Sequence, residues 1–180
     1  MSKKVSLKEI KKIWPEKAPD INNVQKYISK YEKEKIVIKY GGNVLIDRKV
    51  FNGFISDINV LNKLGFSIVV VHGGGPRIKR ELDKKKIVSK FINGLRVTDK
   101  NIIDTVEEVL IDFNNDIASS LKEIGSHAAS FHTKSYNVIE VEPEREELGF
   151  VGIPKNIDVS LIENALNKNE IPIIAPLGLD

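Results

Sequence analysis

Ser67-Ile68-Val69-Val70-Val71-His72-Gly73-Gly74-Gly75-Pro76 is the stretch from which the fold can be read. Ser67 to Val71 form a continuous apolar run with β-branched side chains, which predicts a strand buried on both faces. His72 to Gly75 follow as a loop. Pro76 suits the first turn of a helix, because the N–H it lacks is one that a helix start leaves unbonded anyway. Strand, glycine turn and helix in that order are the repeating unit of a parallel α/β sheet.

The same unit stands immediately upstream. Ile36 to Tyr40 reads as a strand and Gly41-Gly42 as a turn. Phe51, Phe54, Ile58, Leu61 and Leu64 then recur at helical spacing until Gly65 closes the helix. Downstream, Lys90 to Val97 holds Asn93-Gly94 between apolar runs, the mark of a tight hairpin, with Arg96 on its returning strand. Thr98 opens a long helix that turns Ile102, Ile103, Val106, Val109, Leu110, Phe113 and Ile117 inward and ends at Gly125. His127 to Phe131, Asn137 to Val141 and Leu148 to Ile153 read as strands, and the acidic Glu142 to Glu147 as an exposed loop. Asp158 caps a helix through Leu161, Ile162, Ala165 and Leu166, and Ile171 to Ala175 forms a further buried strand. This alternation predicts an α/β protein, a three-layer α/β/α sandwich with a mainly parallel sheet, right-handed crossovers and hairpins at one side.

Two amphipathic helices precede the sandwich. Ser6 and Glu9 stand at capping-box spacing, with Leu7, Ile10 and Trp14 on one face and Pro15 as the stop. Asp20 caps a second helix whose stripe is Ile21, Val24, Ile28 and Tyr31. The two stripes either pack on their own domain or form a contact between subunits.

Composition narrows the function. With 180 residues, 41% of them hydrophobic, the chain can bury one sizeable core. Its 28 basic against 25 acidic residues leave a net charge of +3, too little for a nucleic-acid footprint and compatible with an acidic small-molecule ligand. The absence of cysteine and the presence of only three scattered histidines argue against disulfide, thiolate-metal and His-only metal chemistry. The basic start lacks an apolar run, and no stretch approaches membrane-spanning length, so a soluble, cytoplasmic protein with no nucleic-acid or membrane partner is expected.

Ligands of an open parallel sheet gather at the carboxyl ends of its strands. Lys39, Gly41-Gly42 and Gly73-Gly74-Gly75 all fall at that edge. Successive glycines let backbone N–H groups approach an anion, and the helix beginning at Pro76 adds its positive end. Each feature alone has a plain explanation as a tight turn or a solvated lysine, and together they form an anion cradle. Arg96 offers a planar fork for a carboxylate, although by position alone a surface ion pair is the plainer reading. His72 reads as a hydrogen-bonded structural residue. Gly73-Gly74-Gly75-Pro76-Arg77-Ile78 lacks the last glycine of the dinucleotide fingerprint, and no G-x-x-x-x-G-K-[ST] stretch occurs. The esterase oxyanion loop that His72 to Gly75 also resembles needs a G-x-S-x-G elbow, which is missing. The basic residues Arg77, Lys79, Arg80, Lys84, Lys85 and Lys86 spread around their helix without interleaved aromatics and read as a solvated face.

Three motifs in order and spacing, Val37-Ile38-Lys39-Tyr40-Gly41-Gly42-Asn43, Val69 to Pro76 and Asn93-Gly94-Leu95-Arg96-Val97-Thr98-Asp99, resemble the acetylglutamate kinases of the amino acid kinase family. Leu148 to Gly152 and Ile173 to Gly178 add to the likeness, which runs from about Lys35 to Asp180. The resemblance implies a carbamate kinase-like sandwich and ATP-dependent phosphorylation of the side-chain carboxylate of N-acetyl-L-glutamate in arginine biosynthesis, with Mg2+ accompanying ATP. By the same likeness Lys39 stabilises the transferring phosphoryl group, Gly42 and Gly74 offer N–H groups to it, and Gly74, Gly75 and Arg96 hold acetylglutamate. It further implies that residues 35–180 are the substrate-binding lobe and residues 1–34 a helical extension for oligomerisation. The assembly expected is a dimer, or a hexamer with arginine feedback inhibition. An ATP-binding lobe, with a second lysine and a magnesium-organising acid, would lie outside this chain, so the isolated 180 residues are expected to be inactive. Ser130 to Tyr136 departs from the Gly- and Lys-containing segment common in the family, and no role is carried over to it. Another amino acid kinase, or a catalytically silent ligand-binding or oligomerisation module, is the alternative.

Overall fold

The computed structural model describes residues 6–31, 34–41 and 47–180. Its centre is a parallel four-stranded sheet in the order β1 (Lys35–Tyr40), β2 (Ser67–His72), β8 (Ile171–Ile174) and β5 (Ala128–Phe131). The register sets Lys39 beside Val71 and Tyr40 beside His72, so the two strands end side by side, at Gly41 and Gly73.

Alternation along the strands builds the layers. Tyr40, Ile68, Val70, Ile171 and Ile173 enter one core with α3 (Arg48–Lys63) and α5 (Lys100–Glu123), around a fully buried Phe113. Val69, Phe131 and Ile174 face the other way, onto Leu161, Ile162, Ala165 and Leu166 of α6 (Val159–Asn167). The predicted α/β/α sandwich is therefore present, and all four residues read as the inner face of α6 pack inward. Phe113→Ala would cost about 3–5 kcal/mol by emptying the centre of the larger core. A third cluster, Ile78, Leu82, Ile102 and Leu110, fastens α4 (Gly75–Lys84) onto α5. Two short hairpins, β3 (Phe91–Ile92) with β4 (Leu95–Arg96) and β6 (Ile139–Pro143) with β7 (Gly152–Ile157), stand apart from the sheet.

At the amino terminus, α1 (Leu7–Ile13) carries the predicted capping box of Ser6 and Glu9. Asp20 caps a short 3-10 turn, Ile21–Asn23, rather than an α-helix, and α2 (Val24–Tyr31) follows. Ile10 and Val24 are buried and Ile28 packs on the main core, so each stripe places residues against the chain's own fold. Tyr27 and Tyr31 remain exposed.

Three local expectations are corrected. Thr98 does not cap α5. Asp99 does, accepting from the N–H groups of Asn101 and Ile102, because a carboxylate one residue later reaches both unpaired donors. Leu148 to Val151 are not strand: Glu146–Leu148 form a 3-10 turn, Leu148 is fully buried, and the strand starts at Gly152. Part of the acidic loop, Glu142 and Pro143, belongs instead to β6. Among the described residues no helix is long and apolar enough to cross a membrane.

Candidate active site

The glycine turn after β2 is fixed from several sides. The Gly73 N–H donates to the Tyr40 carbonyl at 2.8 Å, tying it to the first glycine turn. A Cβ at Gly73 would lie 3.8 Å from Gly41 Cα, and one at Gly41 would lie 3.6 Å from Lys39 Cε. The exposed Lys39 thus runs along the first turn, next to the second. Gly74 is the N-cap of α4 and has no side chain to offer, so the first N–H groups of the helix are left for a ligand. Its backbone stands at φ −156° and ψ 1°, and the space around it also requires glycine. A Cβ there would stand 2.4 Å from Leu110 Cδ2. Gly75, by contrast, opens onto free volume.

Arg96 reaches the same region from the hairpin. Asn93 and Gly94 both have positive φ, at 49° and 83°, as the tight turn requires, and this sets Phe91 opposite Arg96. The guanidinium stacks on the Phe91 ring, Cζ 4.7 Å from its centroid, and Nη1 donates to Ser89 Oγ. Burial draws its pKa below the ordinary arginine value, which the Asp83 carboxylate opposes; at neutral pH the group stays charged. A groove of about 920 Å³ joins Gly75 and Pro76 of α4 to Phe91 and Arg96, with Lys79, Arg80, Asp83 and Lys84 on its rim. Lys79 is paired with Asp83 at 2.6 Å and Lys84 with Glu81 at 2.9 Å, whereas Arg96 is oriented by Phe91 and Ser89.

The structure therefore brings Gly75 and Arg96 into one groove, with Gly74 at its helix start. Lys39 is not among the groove's described lining residues and stands on the β1 side of the paired turns. Gly42 lies outside the described residues, as does Asn43 of the first motif. The basic face of α4 is solvated at Lys79, Arg80 and Lys84 to Lys86, but Arg77 departs from that expectation. It lies 3.9 Å over the Phe113 ring and binds Asp116 at 2.6 Å, locking the first turn of α4 to α5.

Residues that sequence reasoning did not single out complete the frame. Thr98 exchanges backbone bonds with Leu148 and Phe150, at 2.9 and 2.7 Å, anchoring the end of the Arg96 hairpin. Gly149 permits this, with φ 66° and no room for a Cβ, which would meet the Thr98 carbonyl oxygen at 2.4 Å. Its signal was a glycine inside a segment read as strand. Ser89 and Phe91, which orient Arg96, had no signal beyond their place at the start of the hairpin.

Comparison with known proteins gives the class: residues 34–180 match the Amino acid kinase family, and the chain belongs to it. The more particular likeness is to acetylglutamate kinases. That of Pelagibacter ubique is 48% identical over 172 residues, covering 96% of this chain and 60% of the relative. The chain spans about three-fifths of the curated relatives it matches. Two solved structures share the fold. N-acetylglutamate synthase from Neisseria gonorrhoeae, complexed with coenzyme A and N-acetyl-glutamate, has a TM-score of 0.75 at 19% identity over 91% of this chain and 39% of its own. Carbamate kinase from Giardia lamblia, bound to AMP-PNP, has a TM-score of 0.54 at 13% identity over 78% of this chain and 55% of its own.

Proposed function

We propose that residues 35–180 form the acetylglutamate-binding lobe of an acetylglutamate kinase, which transfers the γ-phosphoryl group of ATP to the side-chain carboxylate of N-acetyl-L-glutamate. The observation that carries this reading is the shared groove, in which free volume at Gly75 faces a stacked and hydrogen-bonded Arg96. Arg96 takes a substrate carboxylate through its fork, and the amides at Gly74 and Gly75 take the remaining negative charge.

The acceptor is ionised at neutral pH, so the reaction needs no general base. Its oxygen attacks the γ-phosphorus, the bond to the bridging oxygen of ADP breaks, and an acyl phosphate forms. What this demands of the protein is positioning and charge neutralisation. Lys39 and the Gly42 and Gly74 amides supply the latter around the moving phosphoryl group. Mg2+ accompanies the nucleotide and offsets the charge of its phosphates.

Calorimetry with acetylglutamate and an ATP-turnover assay on the intact gene product test the reading. Lys39→Ala is expected to lower kcat far more than it raises KM; equal small effects on both would remove Lys39 from the chemistry. Preferred turnover of glutamate or aspartate would place the protein elsewhere in the family. Assembly through residues 1–34, with exposed Tyr27 and Tyr31 as contacts, makes the protein a cytoplasmic oligomer open to arginine inhibition. Removal of residues 1–33 is then expected to lower its mass by light scattering and to abolish any arginine sensitivity.

A further inference from the structure

Asn114 is a fully buried amide on α5, beneath the sheet edge, and its orientation is dictated by strand β8. Its Nδ2 lies 2.8 Å from the Ile173 carbonyl oxygen, which can only accept. Turning the amide over would press two acceptors together, so Nδ2 must face that carbonyl. The same nitrogen lies 3.2 Å from His72 Nε2 and directs its second hydrogen there. His72 Nε2 must then accept, which makes Nδ1 the protonated ring nitrogen. Nδ1 lies 2.9 Å from the Gly73 carbonyl oxygen and donates to it. One backbone acceptor on β8 thus determines, through two side chains, where the Gly73 carbonyl points.

That carbonyl sets the direction of a proposed ligand amide. No described peptide bond is cis, and in a trans peptide the N–H of the next residue points opposite to the C=O. With the Gly73 oxygen held toward the buried ring, the Gly74 N–H is turned away from that ring at the start of α4. The arrangement is kept at a cost, because Asn114 Oδ1 is buried without a hydrogen-bond partner among the described residues. A residue chosen only for packing would carry no such atom.

We propose that Asn114 is a positioning residue for phosphoryl transfer: its amide selects the Nδ1–H tautomer of His72, which fixes the Gly73–Gly74 peptide and so aims the Gly74 N–H at the reacting anion. The effect on turnover rests on the acetylglutamate kinase reading, whereas the tautomer does not.

The test is run on the intact gene product. Two-bond 15N–1H spectra of histidine-labelled protein should show His72 protonated at Nδ1 in the wild type. Asn114→Asp removes both donors and offers an acceptor, so His72 should change to the Nε2–H form, with kcat falling about tenfold or more and KM for acetylglutamate moving less. A wild-type Nε2–H signal overturns the proposal, as does a folded Asn114→Asp protein with an unchanged tautomer or an unchanged kcat. Should Asn114→Asp not fold, His72→Asn and His72→Gln decide. The first places an amide donor where Nδ1 was and the second places one where Nε2 was, so His72→Asn should keep about tenfold more kcat. Equal values for the two overturn the proposal. An Nδ1–H signal that responds to Asn114→Asp in a protein that does not turn over acetylglutamate would instead sink the kinase reading and leave the relay standing.

Discussion

Around Gly74 the neighbours belong to the core: Leu110 of α5 fills the space of a side chain, Ile78 packs beneath, and the preceding Gly73 is bonded to β1 and to the buried His72. Around Arg96 they do not. Its hairpin has strands of two residues, Phe91 and Leu95 are exposed, and its main tether to the rest of the fold is the backbone exchange at Thr98. The turn leads at Gly75 into the groove that Arg96 lines, yet the turn is rigid by packing and Arg96 is oriented by a stack and a single hydroxyl. Changes at the glycine turn should therefore disturb fold and function together, and changes at the hairpin should separate them.

The sharpest way to break that comparison is Gly74→Ala. The new methyl overlaps Leu110, an overpacking cost of about 1–3 kcal/mol, and any outward shift of the turn misplaces the amide, with a loss of kcat on the order of 100-fold. Thermal melting and kinetics should fall together. An unchanged melting temperature would show that the turn is not held by α5. Arg96→Lys is next. It keeps the charge but loses the fork and the Phe91 stack, so affinity for acetylglutamate should fall about tenfold while the melting temperature holds, since a charge-assisted bond contributes roughly 1.5–3 kcal/mol. A drop in stability instead would tie the hairpin to the core. Gly75→Ala should be milder for the fold. Apart from its chain neighbours and the backbone of its own helix, no described atom lies within 4 Å of the added methyl, and losing backbone freedom stabilises by about 0.4–1 kcal/mol, while the methyl intrudes on the groove. Higher melting with weaker binding is the expected pair in calorimetry.

The same contrast explains what could be read in the sequence. Features written in neighbouring residues were legible: the β-branched run of β2, Pro76 at a helix start, and Asn93-Gly94, whose two positive φ angles make the hairpin. Features that depend on distant partners were not. Arg77 looked like one more surface cation until α5 brought Phe113 and Asp116 beneath it. Leu148 looked like strand until Thr98 bonded to it. Asn114 did leave a trace, four residues after Leu110 and three before Ile117 on the buried face of α5, where a polar side chain needs a reason. Its reason, the ring of His72 on β2 and the carbonyl of Ile173 on β8, exists only once the sheet is assembled.

The smallest effect expected is on stability against pH, and it too separates the two regions. Burial holds His72 below the ordinary histidine value of about 6.5, with Arg77 and His132 adding to the depression and the Gly73 bond opposing it. Between that ordinary value and the lowered folded one, the unfolded chain binds a proton that the folded chain refuses, so stability rises with pH there. The contribution is complete above about pH 6.5 and is lost as pH falls through the folded value. His132, also depressed by burial, acts in the same direction from the loop after β5. Urea midpoints should therefore drop between about pH 7 and about pH 5, and His72→Asn should lessen the drop without abolishing it. Arg96→Lys should leave the slope untouched, because the guanidinium does not titrate in that range. If His72→Asn left the slope whole and Arg96→Lys changed it, the pH-sensitive part of the site would be the hairpin and not the glycine turn.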